Sequence, residues 1–128
     1  MVIDTSALIA ILQEEPDASI YISAILNDPT RLISAATLAE TSIVTLYKRK
    51  ADATAVVDAL VARFRLTVIN VDYEQALLAR EGYRRYGKGS HPVGLNFGDC
   101  FSYALAKQTG EALLFKGNDF SQTDVLRA

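Results

Sequence analysis

Four acidic residues, Asp4, Glu40, Asp99 and Asp119, fall where a chain of alternating strands and helices could bring them together. Asp4 closes the run Met1-Val2-Ile3-Asp4 just ahead of Thr5-Ser6, and Asp99 follows Gly98 where a helical segment opens. Asp119 ends Phe115-Lys116-Gly117-Asn118-Asp119, just beyond a strand. Glu40 differs in lying well inside a helix, in the row Ala36, Glu40, Ile43, Tyr47, which is otherwise apolar or aromatic. In an open α/β sheet, ligands bind beyond the carboxyl ends of the strands, where acids distant in sequence meet. Carboxylates held close raise one another's pKa unless a divalent cation neutralises them. An all-oxygen set fits Mg²⁺ or Mn²⁺, ions that accept a few carboxylates and keep waters for chemistry on phosphates. One such ion activates a water and two also clamp a leaving oxygen, so the expected reaction is hydrolysis of a phosphodiester.

Each acid also has a plainer reading. Asp4 and Asp99 are both placed to cap a helix, although Thr5 and Ser6 would serve as well in the first case. Asn118-Asp119 reads as a turn. Glu40 could lie on a solvated face. In an inward stripe it would need a cation nearby, because a buried, unpaired carboxylate is costly.

The elements that must position these acids follow an α/β pattern. Strands are expected near Met1–Asp4, Arg31–Ser34, Thr67–Val71 and Ala112–Phe115, with a weaker fifth at Val125–Leu126. A first helix runs from Thr5/Ser6 to about Gln13, and Pro16 suits the first turn of a second that ends near Asp28-Pro29. A third spans Ala35 to Lys50, and a fourth places Val57, Leu60, Val61 and Phe64 on one apolar face. Asp72 and Gln75 resemble a capping box opening a helix to Tyr86-Gly87, and the last helix runs from Gly98-Asp99 to Thr109-Gly110. Helices between successive strands call for right-handed crossovers and a mainly parallel sheet. Gly87 to Gly98 is the one sizeable loop.

A chain of 128 residues, 50% apolar, reads as one domain, 1–128, with enough core to fold without a metal or disulfide staple. The single cysteine, Cys100, reads as a small buried apolar residue, and nothing at the amino end resembles a signal peptide, so a cytoplasmic protein is expected. The apolar run Ala7–Leu12 is far too short to cross a bilayer. A net charge of −2 argues neither for nor against a polyanionic partner.

Four segments resemble PIN-domain ribonucleases, most closely the VapC-type toxins of toxin–antitoxin pairs. They are Val2-Ile3-Asp4-Thr5-Ser6-Ala7-Leu8, Ala36-Thr37-Leu38-Ala39-Glu40-Thr41, Leu95 to Ala106 around Asn96-Phe97-Gly98-Asp99-Cys100, and Phe115-Lys116-Gly117-Asn118-Asp119-Phe120. The resemblance covers the whole chain and implies a three-layer α/β fold with a five-stranded parallel sheet. It further implies a metal-dependent endoribonuclease that prefers single strands, forms a homodimer and is held inactive by a cognate antitoxin. By this likeness Asp4, Asp99 and Asp119 would hold Mg²⁺ or Mn²⁺, with Glu40 as a further ligand or a water-orienting group. Asn96 and Asp124 also match polar positions of the family, without an assigned role. With no suitable histidine near these motifs, general-base work falls to a carboxylate or to the ion's own water. An all-acid pocket also invites an antitoxin arginine or lysine as a plug, with apolar docking in a groove flanked by the amino-terminal helices.

Arg80, Arg84, Arg85 and Lys88 lie with Tyr83, Tyr86 and His91 ahead of the glycine-rich loop. This mixture suits phosphate contact and base stacking, and equally an exposed basic helix face with tyrosines in the core. Among rival functions, a receiver-like phosphorylation domain would need a phosphoacceptor on the central strand, where Thr67–Val71 offers only Asp72 at its end. Haloacid-type phosphatases require a second Asp where Ser6 stands. A PIN-like RNA-binding module without turnover is the remaining alternative, and the intact acid quartet speaks against it.

Overall fold

Alternating side chains on very short strands divide the interior into two apolar layers. The structure, a computed structural model, describes residues 1–49 and 53–128. Its strands are β1 (Val2–Ile3), β2 (Leu32–Ser34), β3 (Thr67–Ile69) and β4 (Leu113–Leu114), all parallel, in the order β3-β2-β1-β4. Ile3, Ile33 and Leu114 point to one side, where they pack with Leu8, Ile11, Ile25, Val57, Leu60 and Phe64. Val2, Leu32 and Leu113 point to the other, against Ala79, Leu95, Tyr103, Leu105 and Phe115. A period of two on each strand therefore builds a helix–sheet–helix sandwich.

The helices are α1 (Thr5–Leu12), α2 (Ala18–Asn27), α3 (Ala35–Arg49), α4 (Ala53–Phe64), α5 (Tyr73–Tyr86) and α6 (Asp99–Thr109). The Lys50 end expected for the third helix lies outside the described residues. α1 is buried almost all round, which explains why it lacks a polar face. Leu8 at its centre is fully buried, and truncation to Ala would cost roughly 2–5 kcal/mol. α4 buries Val57, Leu60 and Phe64 as its spacing predicts, with Val61 partly buried against the same cluster. Among the described residues, no helix is long and apolar enough to cross a membrane.

Two expectations need correction. Among the described residues the sheet has four strands, not five: the carboxyl-terminal segment contributes a parallel bridge between Leu113 and Arg127, with the Leu113 N–H donating to Leu126 O at 2.8 Å. The capping box of α5 is half formed. Asp72 Oδ1 accepts from Gln75 N at 2.8 Å, but the Gln75 side chain turns inward and donates to Asn70 O and Gln108 Oε1.

The strand order changes direction at β1. Successive crossovers lead from β1 to β2 and β3, whereas β4 returns to the other side of β1. The crevice between the carboxyl ends of β1 and β4 is the switch point at which such sheets take ligands. Asp4 stands at its β1 side and the Lys116–Asp119 turn at its β4 side.

Candidate metal centre

Asp4 is both a cap and a site acid. It precedes α1 in extended conformation and is 3% exposed. Its Oδ2 accepts from Ser6 N at 2.9 Å and Ser6 Oγ at 2.6 Å, while Oδ1 accepts from Ser102 Oγ at 2.6 Å. The Ser6 hydroxyl in turn accepts from Lys116 N at 3.0 Å, which ties the β1 end to the turn that carries Asp119.

Asp99 opens α6 through a reciprocal pair with Asn96. Asn96 N donates to Asp99 Oδ2 at 2.8 Å, and Asp99 N donates to Asn96 Oδ1 at 2.9 Å. Asn96, left without a role by the sequence reading, thus closes the turn just ahead of α6 in a pairing like that of a capping box. The polar-x-x-acid spacing of Asn96 and Asp99 carries that signal, since it is a capping-box spacing. Asp99 is 8% exposed. Burial pushes its carboxyl up to about 7 against the pull of the Asn96 amide, and the charges of Asp4, Asp119 and Glu40 push the same way.

Glu40 reaches the cluster from α3. Its Oε2 accepts from Thr5 Oγ1 at 2.6 Å. Burial raises its pKa above the ordinary value, the Thr5 hydroxyl opposes this, and repulsion from Asp4 adds to it. Gly98 leaves room for it, because a Cβ there would meet the Glu40 carboxylate and push it aside. The inward stripe expected around Glu40 is not found. Ile43 and Tyr47 are exposed, and the buried row of α3 is Thr37, Thr41, Thr45. Thr41 and Thr45 donate to backbone carbonyls one turn back, and Thr37 pairs with the Ser102 hydroxyl, so a polar row can enter the core. Glu40 is half-buried at the edge of this row.

Asp119 is exposed in its turn and forms no hydrogen bond or ion pair among the described residues, but its charge is felt at Asp99. The structure therefore brings Asp4, Glu40 and Asp99 into one electrostatic cluster, with Asp119 at its rim. Among the described residues no lysine, arginine or histidine pairs with any of the four. Nor do three acid, histidine or cysteine side chains already converge on one ion-sized point. The fit of a divalent cation rests on donor chemistry and uncompensated charge, not on preformed coordination.

The basic segment is largely committed elsewhere. Arg84 pairs with Glu81, Arg85 pairs with Asp124 and stacks over Tyr86, and Tyr86 itself is core. His91 meets the edge of Tyr86, and its Nδ1 accepts from Val93 N at 3.1 Å. Arg80, Tyr83 and Lys88 remain exposed. Cys100 is buried as expected, its thiol pushed up to about 11 by burial and by Asp99.

The PIN domain family matches residues 1–126. The chain belongs to this family, in the group of VapC ribonucleases. It is 51% identical over 125 residues to Ribonuclease VapC of Mycolicibacterium smegmatis, covering 98% of this chain and 97% of the relative. It is 47% identical over 125 residues to Ribonuclease VapC30 of Mycobacterium tuberculosis, covering 98% and 95%. Among solved structures, Mycobacterium tuberculosis VapC20, described as a sarcin–ricin loop cleaving toxin, superposes with a TM-score of 0.78 at 19% identity, covering 99% of this chain and 97% of that one. A toxin–antitoxin complex from Klebsiella pneumoniae gives 0.75 at 20% identity, covering 99% and 95%. At such identities the likeness is one of fold.

Within the PIN fold, the hydroxyl shell is what sequence reading missed. Thr5, Ser6, Thr37 and Ser102 hold the acids and one another, yet serine and threonine at single positions carry no distinctive spacing.

Proposed function

We propose that this chain is a VapC-type endoribonuclease that hydrolyses RNA phosphodiester bonds with Mg²⁺ or Mn²⁺, acting as a single domain. The observation that carries the proposal is a buried carboxylate cluster, built from three separate elements, with no basic side chain among the described residues to neutralise it. Asp4, Asp99 and Asp119 would hold the ion, and Glu40 would add a ligand or orient water. A bound divalent ion supplies the charge that lets these acids stay ionised together and makes water nucleophilic at neutral pH. The chain's part is to fix the oxygens. Ser6 and Ser102 immobilise Asp4, Asn96 immobilises Asp99, and Thr5 immobilises Glu40, so little reorganisation is required during reaction.

The test is cleavage of an end-labelled single-stranded RNA by purified protein, with Mg²⁺ or Mn²⁺ and with chelator. Metal-dependent cuts are expected. RNA that is bound but never cut by the wild type would favour the binding module instead.

Two partners accompany this reading. A homodimer is supported by exposed apolar side chains beside the acids: Ile43, Leu46 and Tyr47 on α3, and Phe97, 78% exposed, ahead of α6. Ile43, Phe97 and Phe101 line one groove of about 370 Å³, a feature that monomeric surfaces seldom leave bare. An antitoxin is supported by the toxin–antitoxin complexes among the structural neighbours and by a groove of about 230 Å³ between the end of α1 and α4, lined by Ile11, Leu12, Val56 and Leu60. A basic antitoxin side chain would then close the acid cluster. RNA contacts are assigned to Arg80 and Lys88, the two cations of the basic segment that form no ion pair among the described residues.

A further inference from the structure

Ser102 lies outside the four acids, yet it is built into their support. It is fully buried on α6, one turn beyond Asp99. Its Oγ donates to Asp4 Oδ1 at 2.6 Å and stands 3.1 Å from Thr37 Oγ1, which is also buried, on α3. A hydroxyl has one proton to give. The Ser102 proton is spent on Asp4 Oδ1, so Thr37 must be the donor in the second contact. The hydrogens therefore run in one direction, from Thr37 to Ser102 to Asp4.

The two oxygens of Asp4 are not equivalent. Oδ2 accepts twice, from the amide and the hydroxyl of Ser6, which occupies both of its lone-pair directions. Among the described residues, Oδ1 accepts only from Ser102, which leaves one direction open. We propose that Ser102 is a positioning residue that fixes the Asp4 carboxylate so that Oδ1 is the oxygen presented to a divalent cation. The inference rests on the metal-dependent reading above and adds which oxygen binds and what aims it. Thr37 acts one step back, holding the Ser102 hydroxyl in the orientation that donates. Partners of this kind, one shell behind a ligand, typically change metal affinity by about 10–100-fold when removed.

The test compares wild type, Ser102→Ala, Ser102→Thr, Thr37→Val and Asp4→Asn. Mn²⁺ binding to metal-free protein is measured calorimetrically without RNA, alongside the melting temperature without metal and cleavage across a Mn²⁺ series. Ser102→Ala should weaken Mn²⁺ binding by about 10-fold or more and move the Mn²⁺ dependence of cleavage to higher concentration by a similar factor. Thr37→Val should weaken binding less, and Ser102→Thr, which keeps the hydroxyl, should bind more tightly than Ser102→Ala. A merely structural serine would instead lower the metal-free melting temperature and leave Mn²⁺ affinity alone, and that result overturns the proposal. If Asp4→Asn abolishes Mn²⁺ binding while Ser102→Ala leaves it unchanged, only the positioning role falls. If Asp4→Asn leaves Mn²⁺ binding unchanged as well, the metal-dependent reading falls with it.

Discussion

Two carboxylates, one packed against α6 and one at its start, meet opposite surroundings. At Asp124, Tyr103 donates to Oδ1 at 2.9 Å and Arg85 and Lys107 donate to Oδ2 at 2.9 and 3.2 Å. Burial alone would raise its carboxyl, but these three donors outweigh burial and hold it below the ordinary carboxylate range. Asp99, at the start of the same helix, has an amide donor and three acidic neighbours, and is pushed up to about 7. A carboxylate supplied with its own cations is a rivet: Asp124 fastens the carboxyl-terminal segment to α5 and α6, whose close approach also requires Gly82 against the Tyr103 ring. Carboxylates gathered without cations cost stability, and a fold retains them where a mobile cation completes the site.

The largest separation between the two should appear in cleavage. Asp99→Asn removes a charge from the proposed metal centre at nearly constant volume and should slow RNA cleavage at least about 100-fold, as should Asp4→Asn. Asp124→Asn, assayed below its melting temperature, should stay within a few-fold of wild type. Equal losses in both would erase the distinction.

Metal should reveal the same contrast without RNA. Mn²⁺ at about 100 times its dissociation constant adds roughly 2.7 kcal/mol to the stability of a protein that binds it only when folded, which is a rise of about 10 °C in melting temperature for a domain of this size. Wild type and Asp124→Asn should both show the rise, and Asp99→Asn should not. Chelation should return the wild type to its metal-free melting temperature without loss of circular dichroism, since the two apolar layers hold without the ion.

A smaller effect of opposite sign is expected in metal-free protein. Asp124→Ala strips a neutralised hub and should lower the melting temperature by about 5 °C at neutral pH. Asp99→Asn should raise it by a few degrees, because the folded state no longer has to ionise a buried acid.

The smallest effect is the pH dependence of that gain. Asp99 has a folded pKa of about 7 against an ordinary value of 3.8, so its penalty is absent below the ordinary value, grows between the two, and is complete above about 7. The stabilisation by Asp99→Asn should therefore be full at pH 8 and vanish near pH 4, as read from thermal melts. A gain independent of pH would mean that Asp99 is limited by packing, not by charge.

Much of the scaffold was legible in the chain. Four of the expected strands and all six helices appear near their expected places, because hydrophobic period and the capping signals at Asp4, Asp72 and Gly110 are local properties. The fifth strand failed because a parallel bridge at Arg127 depends on what β4 leaves open at the sheet edge, which no local pattern encodes. The inward stripe through Glu40 failed for a related reason. α3 is apolar on more than one side, and the choice of a threonine row for the interior was made by hydroxyl partners on α1 and α6.

By itself, then, the sequence determined the types of residue at the strand ends, the layered α/β pattern and the family, since each follows from residue identity and short-range spacing. The tertiary structure alone decided that Asp99 is forced toward neutrality while Asp124 is held ionised. It also decided that one oxygen of Asp4 accepts from Ser102, ninety-eight positions away along the chain. The reason is physical: a carboxylate's charge state and orientation depend on the donors, cations and burial within a few ångströms of it, and only folding places those groups there.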